Sequence, residues 1–149
     1  MASREIRHLS VEMQKKFNQF HNRCRRDTEL LKLGVSVLLI CTHRSGEEQD
    51  RLYAQGRTAP GRIVTNARAG HSKHNVVDAQ GNPAAEAFDV VPLLHGKPMW
   101  SATDDPNTPE DEAWVWARVG EHGVAVGLVW YGSPGAKFPE KPHFQNPEA

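Results

Sequence analysis

The sequence predicts an α+β fold, and three observations carry that prediction. Met13, Phe17, Phe20 and Cys24 recur at spacings of four, three and four, one apolar stripe of a helix. Val35-Ser36-Val37-Leu38-Leu39-Ile40-Cys41 and Ala87-Phe88-Asp89-Val90-Val91 are short, β-rich apolar runs. The connections between such segments are irregular and rich in Gly and Pro, so helices and strands are interspersed rather than strictly alternating.

Taken in order, Ser10 is the expected N-cap of the first helix, and Leu30, Leu31 and Leu33 extend its apolar character until Gly34 stops it. The strand at 35–41 follows and runs into Thr42-His43-Arg44-Ser45. Ser45 and Glu48 have the spacing of a capping box, predicting a helix that runs to about Gln55 and ends at Gly56. This puts Arg44 at a strand-to-helix junction, where side chains are often presented to a cleft. Residues 56–70 read as loop with one extended piece at Ile63–Thr65. The stretch 70–92 opens with Ser72, His74 and Asn75 in a Gly-bounded loop and closes on the second strand. Leu93 to Pro106 reads as loop with a short hairpin around Gly96. Thr108-Pro109-Glu110-Asp111 is a helix start, with cap, proline and first-turn acids. The Trp114 and Trp116 pair of that helix is expected in the core, and the helix ends near Gly123. A strand at Gly127–Tyr131 and a closing segment around His143 complete the chain.

Composition bounds the function. At 149 residues, 38% hydrophobic and 24% charged, the chain reads as one soluble globular domain over 1–149. No apolar run approaches the roughly 20 residues that cross a bilayer, and the N-terminus has no apolar signal core. Stable membrane association and a secretory signal are therefore not expected. Cys24 and Cys41 read as reduced, buried thiols rather than a disulfide framework. The net charge of zero hides an asymmetry: residues 1–75 hold 14 Lys and Arg against 7 acids, residues 76–149 hold 4 against 11. The cluster Arg23, Arg25 and Arg26 reads as a solvated helix face, so no nucleic-acid partner is expected.

One acid inside an apolar strand is costly to bury without a partner, and Asp89 is such an acid. A metal ion is one partner, with His74 nearby in sequence and His143 near the C-terminus as further ligands. Two imidazoles and a carboxylate are a usual catalytic zinc set. His71 competes with His74, and Asp78 with Asp89; Asp78 sits in a polar turn beside Gly81 and Asn82, which favours Asp89. Glu140, three residues before His143, is the natural general base, with Pro142 expected to hold the chain extended between them. Arg44 then serves to stabilise a developing oxyanion.

The motifs Thr42-His43-Arg44-Ser45, Gly70-His71-Ser72-Lys73-His74-Asn75, Ala87-Phe88-Asp89-Val90-Val91-Pro92 and Pro142-His143-Phe144-Gln145 occur in one order. Together they resemble the zinc peptidases related to VanY-type D-Ala-D-Ala carboxypeptidases, and within them the L-alanyl-D-glutamate endopeptidases used as endolysins. The resemblance implies a Hedgehog/DD-peptidase-like fold, a small antiparallel sheet flanked by helices with zinc on one sheet face. It implies zinc ligands at His74, Asp89 and His143, a catalytic acid/base at Glu140 and a substrate-contacting Arg44. It also implies that Ser72 and Gln49 border the pocket as substrate-binding residues. His74 and Asp89 are fifteen residues apart where many members have seven, which predicts an inserted loop over 76–86 at the pocket rim. The base is Asp in many members, and Glu140 is one methylene longer.

The expected function is that of a peptidoglycan endopeptidase cutting the L-Ala–D-Glu bond of stem peptides. The resemblance implies a monomeric phage endolysin, held in the host cytoplasm before release to the periplasm and cell wall. The alternatives are a D-Ala-D-Ala carboxypeptidase, a metal-dependent nuclease suggested by His74-Asn75 beside the basic half, and a zinc-binding module without catalysis.

Overall fold

The computed structural model describes residues 2–100, 112–132 and 140–147. A 3-10 turn at Ile6–His8 leads into α1 (Val11–Arg26), α2 (Thr28–Leu33), β1 (Val35–Cys41) and α3 (Gly46–Ala54). A second 3-10 turn, Lys73–Asn75, precedes β2 (Ala87–Leu94), β3 (Lys97–Pro98), α4 (Glu112–Ala125), β4 (Val129–Trp130) and β5 (His143–Gln145). The α+β prediction holds. Among the described residues the strands β1 to β5 pair antiparallel, in the order β1-β2-β5-β4, with β3 returning against the far end of β2.

The Ser10 cap is present, its side chain accepting the Met13 N–H, and Met13, Phe17, Phe20 and Cys24 are all buried. The expected single helix breaks at Asp27, whose carboxylate accepts the Glu29 and Leu30 N–H groups and so caps α2. A short polar side chain at this point competes with the helix ladder and starts a new helix. Gly34 closes α2 with φ 79°, a conformation natural to glycine. The segment at Ile63–Thr65 forms no strand; Ile63 and Val64 are exposed. The hairpin at Gly96 is present, with His95 and Gly96 both at positive φ (48° and 84°), as a two-residue hairpin loop requires. The helix start at Thr108–Asp111 lies outside the described residues. Of the Trp pair, Trp116 is buried, while Trp114 is exposed on the outer face. Both cysteines are free and buried, and burial pushes the Cys24 thiol up to about 12.

Alternation along β2 divides the sheet into two faces. Phe88 and Val90 point into the core with Phe144 of β5. There Phe17 meets Phe88 edge-on at 5.0 Å and Phe20 tilts over Phe144 at 5.0 Å. Burying each of these rings contributes roughly 2–3 kcal/mol. The helix α4 approaches β5 closely because Gly123 carries no side chain; a Cβ there would collide with the Phe144 ring. Asp89 points to the opposite face. Its register partners are His143 on β5 and Cys41 on β1. The Cys41 pairing follows a bulge, since Leu39 faces Val90 and Cys41 faces Asp89, two β1 steps for one on β2. That extra residue moves Cys41 off the core face of Val35, Val37 and Leu39 and beside the acid.

Candidate metal centre

Three chain segments converge on Asp89. The cross-strand register places His143 directly beside it. His74 comes from the 3-10 turn, which is tied to the end of β1 by two bonds. The Arg44 N–H donates to the His74 carbonyl (2.9 Å), and the Asn75 amide donates to the Arg44 carbonyl (2.8 Å). The Ser72 side chain accepts the His74 N–H, while Asn75 reaches back to the Ser72 N–H, a capping box that fixes the turn.

The hydrogen bonds decide how the two histidines face. His74 Nδ1 stands 2.7 Å from the Thr42 carbonyl, which can only accept, so Nδ1 carries the hydrogen and Nε2 the lone pair. His143 Nε2 stands 2.9 Å from Gln145 Oε1 and donates to it, leaving the lone pair on Nδ1. Both lone pairs, His74 Nε2 and His143 Nδ1, lie 3.1 Å from the same oxygen, Asp89 Oδ1. Three acceptors meeting at one point repel unless a proton or a cation stands among them. Two ligand atoms about 2.0–2.1 Å from one zinc at a tetrahedral angle stand roughly 3.3 Å apart, close to the separations found here. The remote N–H of each imidazole held by an oxygen is the usual support of a ligating histidine. The residues present fit a zinc ion.

Cys41 is a further ligand-capable neighbour: Cys41, His74 and Asp89 form a compact group of ligand atoms within 4.8 Å of one another. Its sulfur lies 3.6 Å from His74 Nδ1, the nitrogen occupied by Thr42, and 3.6 Å from the Arg44 guanidinium. Cys41 therefore sits behind the imidazole rather than on the side where the lone pairs meet. In the sequence Cys41 reads only as a buried thiol; its place beside the site depends on the β1 bulge, for which the sequence carries no signal.

Charge at the centre follows the same geometry. Burial opposes charging of His74, yet the Asp89 carboxylate overrides it and raises the imidazole to about 10. Burial would raise Asp89, but the two histidines hold its carboxyl well below the usual carboxylate range. The centre thus takes a positive charge, a proton where no metal is present. Glu140 Oε2 stands 4.0 Å from His143 Nδ1, and burial raises this carboxyl above the usual range. Arg44, one of its guanidinium nitrogens 3.7 Å from Asp89 Oδ2, is mostly buried.

These groups line a cleft of about 600 Å³ with Ser72, Val64, Trp100 and Trp116. Arg44, Ser72, His74, Asp89, Glu140 and His143 are thus brought together as the sequence predicts. Gln49 is not. It is fully buried, with its amide donating to the Thr65 hydroxyl and the Ala67 carbonyl and its oxygen accepting from Arg44 Nη1. It lies on the core side of α3 and holds Arg44 instead of bordering the pocket. Pro142 likewise does not extend the chain: His143 N–H donates to the Glu140 carbonyl, closing a turn that brings both side chains to one side. The competitors stay out. His71 is exposed, and Asp78 spends its carboxylate on the Gln80 and Asn82 N–H groups. The inserted loop over 76–86 folds back on itself through a Val77–Pro83 bridge, and only Val76 reaches the groove beside the site.

No protein-family model matches the chain. A Bacillus subtilis protein, the peptidoglycan L-alanyl-D-glutamate endopeptidase CwlK, is 34% identical over 113 residues. That match takes in 75% of this chain and 61% of the relative, so the chain spans about three-fifths of that protein's length. Among solved structures, the zinc complex of a variant of the vancomycin-resistance D,D-pentapeptidase VanY superposes with a TM-score of 0.56 at 12% identity. It covers 93% of this chain and 72% of that one, and shows the shared fold. The Serratia marcescens L-Ala D-Glu endopeptidase ChiX gives a TM-score of 0.47 at 16% identity, over 93% of this chain and 89% of that one.

Proposed function

We propose that this chain is a zinc peptidase of the VanY-like family and hydrolyses peptidoglycan stem peptides at the L-alanyl–D-glutamate bond. The observation that carries the reading is the meeting of two imidazole lone pairs and a carboxylate at one point, beside Glu140 in an open cleft. His74 Nε2, Asp89 and His143 Nδ1 would hold the zinc. When bound, zinc supplies a Lewis acid that polarises a carbonyl and acidifies water.

The chain's own groups do the rest. Glu140 takes a proton from the water that adds to the scissile carbonyl carbon. As the C–N bond breaks, Glu140 returns that proton to the departing amine. The raised pKa of its carboxyl suits a group that must both accept and release a proton. The Arg44 guanidinium, fixed by Gln49 and by its backbone bonds to the His74 turn, stabilises the negative charge that develops on the carbonyl oxygen. Ser72 shapes the rim of the cleft while its hydroxyl keeps the His74 turn in place.

Digestion of purified peptidoglycan by the zinc-loaded protein, with products identified by mass spectrometry, tests this. New amino-terminal D-glutamate, abolished by a strong chelator, is the expected result. Release of terminal D-alanine alone would instead make the enzyme a carboxypeptidase, and intact stem peptides would overturn the peptidase reading. The same reading gives the chain a lytic role as a monomeric endolysin delivered from the cytoplasm to the wall. Lysis of host cells only when it is co-expressed with a hole-forming membrane protein is the corresponding test.

A further inference from the structure

A second groove, of about 550 Å³, meets the first at the metal centre. Thr65, Ser72, Glu140 and His143 line both, so the site sits where two arms join rather than at the end of a blind pocket. The arms differ in chemistry. The first is walled by Leu52, Val64, Trp100, Trp116 and Pro142. The second is walled by Asn66, His71, Lys73 and Gln145 together with Val76 and Tyr131, and is the more polar arm.

Within the polar arm Lys73 is distinctive. It is half-buried, it immediately precedes His74, and no described acid pairs with its ammonium. Of the other cations lining the two grooves, Arg44 is tied to Gln49 and Asp89 and serves the scissile carbonyl in the reading above, and Lys141 is engaged by interactions of its own. A half-buried lysine on the wall of a groove has its ammonium available to an anionic group from outside the chain. A glutamyl residue beside the cut bond carries one free carboxylate, so the polar arm has a matching charge to receive it. We infer that Lys73 is a specificity-determining residue, pairing with a free carboxylate on the substrate residue next to the scissile bond. The inference rests on the peptidase reading above and adds to it the substrate group that the polar arm selects.

The test uses two synthetic stem-type peptides containing the L-alanyl–D-glutamyl bond, one with the glutamyl carboxylate free and one with it amidated. The zinc-loaded full chain should cleave the free acid with a kcat/KM roughly tenfold higher, the effect falling on KM, as one charge-assisted pair in a partly hydrated groove implies. Lys73→Met should lose that preference while cleaving the amide as the parent chain does, and Lys73→Arg should retain it. Binding of both peptides to Glu140→Gln, followed by NMR titration, gives a second readout that needs no turnover. Equal kcat/KM for acid and amide in the parent chain, or an equal fall for both in Lys73→Met, overturns the inference and leaves the peptidase reading standing. Cleavage of neither peptide refutes the peptidase reading, and the titration then still judges Lys73, equal affinity for acid and amide counting against it.

Discussion

Replacing Gln49 with Ala separates a residue that touches substrate from one that holds Arg44. The buried Gln49 amide makes three side-chain contacts: 2.9 Å from Arg44 Nη1, 2.8 Å to the Ala67 carbonyl and 3.3 Å to the Thr65 hydroxyl. The Thr65 oxygen also accepts the Ala67 N–H at 3.1 Å, so its loss is the smallest. The Ala67 carbonyl and the Arg44 guanidinium lose a partner, at about 1–3 kcal/mol for each buried group left unsatisfied. The missing methylene adds about 0.8 kcal/mol. Partial solvation of Arg44 from the cleft brings the expected total to roughly 3 kcal/mol, near 10 °C in Tm for a chain of this size. Urea unfolding of the zinc-loaded protein measures the first quantity. Cleavage kinetics measure the second, a fall in kcat as Arg44 loses its orientation, with zinc content unchanged. A variant within 0.5 kcal/mol of the parent that loses activity only through KM would refute this reasoning and return Gln49 to the pocket wall.

Single replacement of His74, Asp89 or His143 by Ala should strip zinc measured by atomic absorption and lower stability with it, because the metal binds the folded state. His71→Ala and Asp78→Ala should keep zinc and most activity; loss of metal in His71→Ala would reassign the first ligand. Glu140→Gln should retain zinc and fold while cleavage falls by ~10²–10⁴-fold, and near-parental cleavage would move the base elsewhere. Away from the site, burial would raise the Asp27 carboxyl, but its bonds to Arg118 (2.6 Å) and His122 (2.7 Å) hold it well below the usual range. A carboxyl depressed in the folded state adds stability above its unfolded pKa of about 3.9, and loses it as pH falls toward the folded value. Asp27→Asn should therefore cost about 3 kcal/mol at pH 7, with the gap to the parent narrowing below about pH 4 in acid titrations of denaturant stability.

Much of this protein was legible in its sequence because the relevant signals are local. The stripe Met13, Phe17, Phe20, Cys24 determined a helix and its buried face, since a period near 3.6 admits no other placement. Asp89 within Ala87-Phe88-Asp89-Val90-Val91 announced an acid needing compensation, and alternation in a strand required it to face away from Phe88 and Val90. Motif order pointed to His74, Glu140 and His143 with Arg44, and the structure gathers them in one cleft. Other features were decided only by the tertiary structure, because each depends on residues distant in the chain. The family resemblance implies a pocket position for Gln49, but the side of α3 it occupies follows from its hydrogen bonds to Thr65 and Ala67. Cys41 reaches the centre only through a bulge that a strand-like sequence does not reveal. The tautomers of His74 and His143 are set by Thr42 and Gln145, oxygens brought within hydrogen-bond range only when the sheet is assembled. Local sequence determines which side chains are available and which face they take; long-range packing decides which lone pairs meet, because hydrogen-bond partners are selected over distances of 2.7–3.1 Å.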